Sequence, residues 1–148
     1  MKIYAKNKKG LFDYEILEKY EAGLALRGNE RNSIRNGNVS LKGSYVSLMN
    51  GELFLVKAHV SQYQYSAPNK SYNPERRRKL LVHKREIQSL IGKMKQKGLT
   101  LIPISLYNKN RRIKLEFALA RGKKKHDKRQ TIKKRDSDRK LQQLMRQK

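Results

Sequence analysis

The residues best placed for chemistry in this chain are cations. Arg121 to Lys148, RGKKKHDKRQTIKKRDSDRKLQQLMRQK, holds thirteen of the chain's 37 Lys and Arg, against only Asp127, Asp136 and Asp138. Such a run offers charge for phosphates rather than groups for bond-making. Tyr14, Tyr20, Tyr45, Tyr63, Tyr65, Tyr72 and Tyr107 add ring faces on which unpaired bases can stack. Within this set, Tyr45 and Tyr107 read as barrel core with a wet hydroxyl, whereas Tyr63 and Tyr65, in a polar loop, read as exposed. Glu21 stands between basic segments. There it can orient a neighbouring Arg or accept a hydrogen bond from a guanine edge, or it is an ordinary strand-face acid.

The pattern for catalysis is missing. The twelve Asp and Glu sit mostly singly among basic residues, with no paired carboxylates at acid/base spacing and no Gly-rich phosphate loop before a helix. His59, His83 and His126 lie far apart and lack ligand spacing, so no metal site is expected. Cysteine is absent, which removes disulfides, thiolate ligands and a thiol nucleophile. No cofactor is implied.

A net charge of +25 on 148 residues resists compaction unless a partner neutralises it. Nucleic acid is the usual partner, and a membrane surface the second. The membrane reading is weaker, because the tail lacks Trp and Phe to insert and no apolar run approaches the roughly 20 residues of a span. The start, MKIYAKNKKG, lacks the apolar core of a signal peptide, and a cytoplasmic location is expected.

The elements that must hold these groups follow from periodicity. Phe12–Leu17 and Tyr20–Leu26 read as two strands, with Gly23 marking a bulge or the close approach of another backbone. Gly28–Asn29 opens a short helix capped by Asn29 and closed by Gly37. Tyr45–Met49 and Leu53–Val60 flank Asn50-Gly51, the strongest short hairpin signal. Asn73-Pro74-Glu75 is a helix-start pattern. A clear helix runs from about His83 to Lys97 and stops at Gly98. Leu99–Leu106 is a strand that Pro103 sends to an edge or a bulge. Ile113, Leu115, Phe117 and Leu119 alternate with Lys114, Glu116, Ala118 and Ala120 in the cleanest period-2 pattern of the chain. The fold class expected is mainly β. It is a closed antiparallel barrel of oligonucleotide-binding type, about six strands with two to three helices. The domain is 1–121, and 122–148 is a basic tail. The tail has too few apolar residues to bury itself and is expected to be disordered when free. Leu141, Leu144 and Met145 fall at i, i+3, i+4, so it can become a helix of about 40 Å on a partner. On composition alone, a structural protein of the ribosome fits as well as an RNA-binding adaptor; a nuclease or RNA-modifying enzyme is disfavoured by the acid count.

The order and content of NKKGLFDYEI, YEAGLAL, GNERNSIR, SYVSLMNGELFLVKAHVS, RRRKLLVHKREIQSLIGKMKQKGLTLIPISLY and GKKKHDKRQTIKKRD resemble the small protein B family, the SsrA-binding proteins of bacterial trans-translation. The resemblance spans nearly the whole chain. It implies a non-enzymatic adaptor that binds the tRNA-like part of transfer-messenger RNA. With elongation factor Tu, the adaptor delivers this RNA to stalled ribosomes so that the nascent chain is tagged, and its tail probes the empty message channel. By matching motif, the resemblance implies RNA contacts at Asn7, Lys8, Glu21, Leu81 and Lys114. It places His126 to stack on a base of the decoding centre. Asp127, Lys128 and Arg129 match the base of the family's tail, and Leu144 and Met145 its apolar positions. Two places depart from the family pattern. Arg31 and Asn32 stand where a hydrophobic residue and Lys are common, and Asn110-Arg111 stands where a hairpin usually carries Asn-Gly.

Overall fold

The computed structural model describes residues 2–67, 70–96 and 98–123, together with 132, 135 and 139. Nine strands and three helices are found among them, in the order β1 (Ile3–Lys6), α1 (Lys8–Asp13), β2 (Tyr14–Leu24), α2 (Gly28–Arg35), β3 (Val39–Ser40), β4 (Tyr45–Met49), β5 (Glu52–Val56), β6 (His59–Val60), β7 (Arg78–Leu81), α3 (Lys84–Met94), β8 (Leu99–Lys109) and β9 (Arg112–Gly122). Six strands close into a ring, β8-β4-β5-β7-β2-β9 and back to β8, all antiparallel. β1 lies outside the ring, beside the C-terminal half of β8, and β3 pairs with β6 apart from it. The expected closed barrel is therefore present. Ring closure leaves no long unpaired edge among the six described strands of the ring.

The inside of the ring is filled by the apolar half of each alternating strand. Leu53, Leu101, Leu115 and Phe117 are fully buried, and Ala22, Leu55, Leu80 and Leu106 nearly so. Tyr20 stacks on Phe117 with ring centroids 5.5 Å apart. α3 turns Leu90, Ile87 and Met94 toward this core, with His83 as its N-cap and Gly98 beyond its end at φ 85°. The Asn50-Gly51 turn has φ of 51° and 75°, the pair of positive values that a type I′ hairpin needs.

Several elements differ from the expectation. The two strands read from Phe12 to Leu26 are one, β2, because a register shift between Ile16 and Glu18 breaks its alternation and leaves Leu17 exposed. Ahead of Phe12, where the periodicity shows no element, lie a strand and the start of a short helix of six residues, with Asn7 as the N-cap of α1. Arg27, not Asn29, caps α2. Asn73-Pro74-Glu75 makes a turn, in which the Glu75 N–H donates to Asn73 Oδ1 at 3.0 Å, and it leads into β7 instead of a helix. Tyr45 is 42% exposed, with Lys57 Nζ 6.0 Å from its ring centre, and is not core.

Charge also enters the core. Glu30 on α2 and Arg78 on β7 are each 1% exposed. Arg78 donates to Glu30 at 2.7 Å and to the carbonyls of Ala58 and Pro74 at 2.8 and 3.0 Å. Arg76 adds a 2.5 Å contact to the same carboxylate, and the Arg27 N–H a third donor at 2.9 Å. Burial pushes Glu30 up, but Arg76, the Arg27 amide and Arg78 together outweigh it and hold its carboxyl below the ordinary value.

Candidate nucleic-acid interface

On the outer face of the barrel, strand register assembles a row. Tyr107 of β8 pairs with Lys114 of β9, Lys114 with Gly23 of β2, and Gly23 with Leu81 of β7. Directly paired residues share a face, so these four lie side by side across four strands. Their neighbours in sequence, Leu106, Leu115, Ala22 and Leu80, point into the core. The period-2 rule thus sends Leu81 outward, 54% exposed, beside a lysine.

Gly23 joins Leu81 to Lys114. A Cβ placed there would lie 3.4 Å from Leu81 Cβ and 3.7 Å from Lys114 Nζ. The glycine marks the close approach of two side chains, not the bulge or second backbone expected. Gly23→Val should leave the melting temperature within a few degrees, since valine suits a strand. Its methyls would displace the lysine head, and RNA affinity should fall about tenfold, near 1.4 kcal/mol; filter binding with a parallel thermal melt checks both.

One step along the face, Glu21 accepts a hydrogen bond from the Tyr107 hydroxyl and two from Lys109 Nζ, at 3.2 and 3.3 Å. The tyrosine foremost, with Lys109 and Lys114, holds the Glu21 carboxyl below its ordinary value. Burial and then Glu21 push the Tyr107 hydroxyl above its own. At neutral pH the pair is therefore a carboxylate held by a phenol that stays protonated. Of the roles open to Glu21, the orienting of an arginine is not found; its side-chain partners are Tyr107 and Lys109. Lys6 lines the same concavity. Lys109 was within reach of sequence reasoning, being two residues beyond Tyr107 on one strand face. Lys6 was not, because β1 itself went unrecognised.

Asn7 sits differently. It is 5% exposed, its Nδ2 donates to the Pro103 carbonyl at 2.8 Å, and its Oδ1 accepts from the Gly10 N–H at 3.0 Å. Its side chain caps α1 and ties it to β8, whereas Lys8, the next residue, is exposed. The structure thus brings Glu21, Leu81 and Lys114 together and makes Asn7 a structural residue.

A groove of about 380 Å³ opens beside Leu81 and Lys114. Leu24, Leu26 and Ile113 line it with apolar surface, and arginines from α2 and from the β8–β9 turn face it. Tyr65 is 76% exposed, as expected, whereas Tyr63, which it meets edge-to-face at 5.4 Å, is half-buried. Tyr72 donates to the Val60 carbonyl at 2.6 Å and serves the fold. No group of three His, Cys, Asp or Glu suited to a metal exists among the described residues, and no described helix is long and apolar enough to cross a membrane. His126, Asp127, Lys128, Arg129, Leu144 and Met145 lie outside the described residues. Of the tail, Ile132, Arg135 and Arg139 are helical, and the Arg135 guanidinium sits 5.4 Å from the Phe12 ring centre.

The chain's likeness to known proteins is extensive. A family profile described as SmpB protein matches residues 4–147. An SsrA-binding protein of Thermosynechococcus vestitus is 48% identical over 147 residues, 99% of this chain and 97% of that one. One from Carboxydothermus hydrogenoformans is 50% identical over 145 residues, 98% and 97% of the two chains. One from Mycoplasma mycoides subsp. mycoides is 49% identical over 138 residues, 93% of each. Among solved structures, a chain of the work described as "tmRNA-SmpB: a journey to the center of the bacterial ribosome" superposes with a TM-score of 0.66 at 45% identity, covering 81% of this chain and 84% of that chain.

Proposed function

The chain belongs to the SmpB protein family, and we propose that it binds SsrA RNA, the transfer-messenger RNA, and carries it to stalled ribosomes for tagging of the nascent chain. The observation that carries this reading is the outward row Leu81–Gly23–Lys114 with Glu21 beside it, on a chain 48% identical to an SsrA-binding protein over nearly its full length. The barrel holds the tRNA-like part of the RNA: Lys114 meets a phosphate, Leu81 supports an apolar contact, and the Glu21 carboxylate accepts from a base edge or a ribose hydroxyl. Lys8 of α1, exposed, adds a further cation for the RNA. Elongation factor Tu joins the delivery complex. From residue 122 the basic tail enters the message channel, where His126 meets a base of the decoding centre and Asp127, Lys128 and Arg129 form its root. Leu144 and Met145 supply its apolar contacts. The protein performs no bond-making step, needs no metal or cofactor, and works in the cytoplasm.

The test is a salt titration of binding to transfer-messenger RNA beside an ordinary tRNA of similar size. Charge attraction alone gives equal affinities, with log K falling by about 0.7–0.9 per phosphate for each decade of salt. A preference for transfer-messenger RNA that survives high salt supports a body that reads shape. Equal affinities at every salt would point to a general basic binder such as a structural protein of the ribosome. Lys114→Ala and Glu21→Ala should each reduce the high-salt preference about tenfold, near 1.4 kcal/mol.

A further inference from the structure

The turn between β8 and β9 carries an unusual residue. Asn110 and Arg111 have φ of 52° and 64°, the same left-handed pair that Asn50 and Gly51 adopt in the β4–β5 turn. The second position of such a turn favours glycine, because any Cβ there crowds the following backbone. An arginine held at that φ needs a reason that its side chain supplies. Arg111 faces the groove beside Leu81, together with Arg112 and Lys114 from β9 and Arg31 and Arg35 from α2. Arg35 Nη2 donates to the Arg111 carbonyl at 3.2 Å, which fixes the turn against the helix. No acid lines the groove, and none of these five cations has a salt bridge among the described residues. Elsewhere on the barrel the exposed lysines Lys19, Lys79, Lys93 and Lys109 each have a Glu within 4 Å. Lys114 shares the field of the Glu21 carboxylate, but the four arginines over this apolar floor repel one another until an anion enters. Arg31 and Arg111, one from each of the two places that depart from the family pattern, line this groove from elements far apart in sequence.

We propose that this groove binds a stretch of the RNA's ribose–phosphate backbone, with Arg31 and Arg111 as a two-sided clamp on its phosphates, and that Arg111 occupies a glycine-favouring turn position for that purpose. The inference rests on the reading of the neighbouring face as the RNA surface. It adds a phosphate site beyond Lys114 that the motif-matched residues leave out. Arginine suits the task, since its planar fork can donate two hydrogen bonds to one phosphate.

The experiment compares the full-length chain with Arg111→Gly, Arg31→Gln and the pair together. Arg85→Gln, an exposed arginine of α3 outside the groove, serves as a control for charge alone. Each is titrated with salt against transfer-messenger RNA and melted without RNA. Expected for Arg111→Gly is a melting temperature no lower than wild type, because the strained φ is relieved. Its RNA affinity should be several-fold weaker, with a salt slope shallower by about 0.7–0.9. Arg31→Gln should lose a similar slope, and Arg85→Gln should keep the wild-type value. Wild-type affinity and slope in Arg111→Gly would overturn the clamp, as would a melting temperature below wild type or an equal loss in Arg85→Gln. A wild-type chain that fails to prefer transfer-messenger RNA would instead overturn the functional reading, and it would do so before any variant is compared.

Discussion

Glu30→Ala lowers the melting temperature by about 10–20 °C, the largest stability loss expected from any single polar substitution here. The carboxylate is 1% exposed and accepts from Arg76, Arg78 and the Arg27 amide, while Arg78 is itself 1% exposed. Removing the acid leaves the Arg78 guanidinium charged in the core, held only by the carbonyls of Ala58 and Pro74. Breaking a buried pair from one side costs about 3–5 kcal/mol, which at a few degrees per kcal/mol gives the stated shift. Arg76→Ala should cost less, because Arg76 is 30% exposed and water replaces part of what it loses. The pH dependence has a definite sign. Glu30 has a depressed folded-state value, so its contribution is complete above the unfolded value of about 4.3 and is lost as pH falls through the folded one. Thermal melts at neutral pH and in acid should therefore converge for wild type and Glu30→Ala. A gap that stayed constant as pH fell would show that lost packing, not charge, sets the difference.

Truncation after Lys123 should abolish tagging of stalled chains while changing affinity for transfer-messenger RNA less than about threefold at moderate salt. The deleted stretch carries eleven Lys and Arg against three Asp, a net of +8 out of +25. If those charges lay on the RNA, their loss would flatten the salt slope by several units. If they lie in the message channel, the slope stays near that of the full chain and only the ribosomal step fails. Replacing Leu144 and Met145 by Asp tests the same point without removing cations. A truncation that lost RNA affinity as heavily as Lys114→Ala would defeat the division of labour between barrel and tail.

What could be read from the sequence was what depends on near neighbours. The Asn50-Gly51 turn, the alternation of Ile113 to Leu119 and the 3, 4 spacing of Ile87, Leu90, Ile91 and Met94 are each set within a few residues, and each is found. Pro103 does coincide with a register shift in β8. The misreadings come from long-range pairing. β2 passed for two strands because its shift between Ile16 and Glu18 is tolerated only with β9 alongside. α1 has Gly10 in mid-helix and no apolar period. It is secured by Asn7 reaching Pro103, 96 residues away. Glu30 lies in the first turn of a helix, where an acid is ordinary, and its partners are 46 and 48 residues further on. Of the proposed interface, Glu21, Leu81 and Lys114 come from the motif match, and register explains why they converge. The groove was not legible, because Arg31 and Arg111 come together only where α2 and the β8–β9 turn line one cavity.

The ring also dictates the order in which a newly made chain can finish folding. β2 ends at Leu24, yet its partner along most of its length is β9, which begins at Arg112. During synthesis, some ninety residues must leave the ribosome before that seam can form, and until then β2 waits with one edge open. A nascent chain of this protein cut short by a broken message would present that open edge along with an unfilled core. Its own product, when interrupted, is therefore a substrate for the rescue it is proposed to serve, and its synthesis is expected to lean on chaperones until the β8–β9 hairpin emerges.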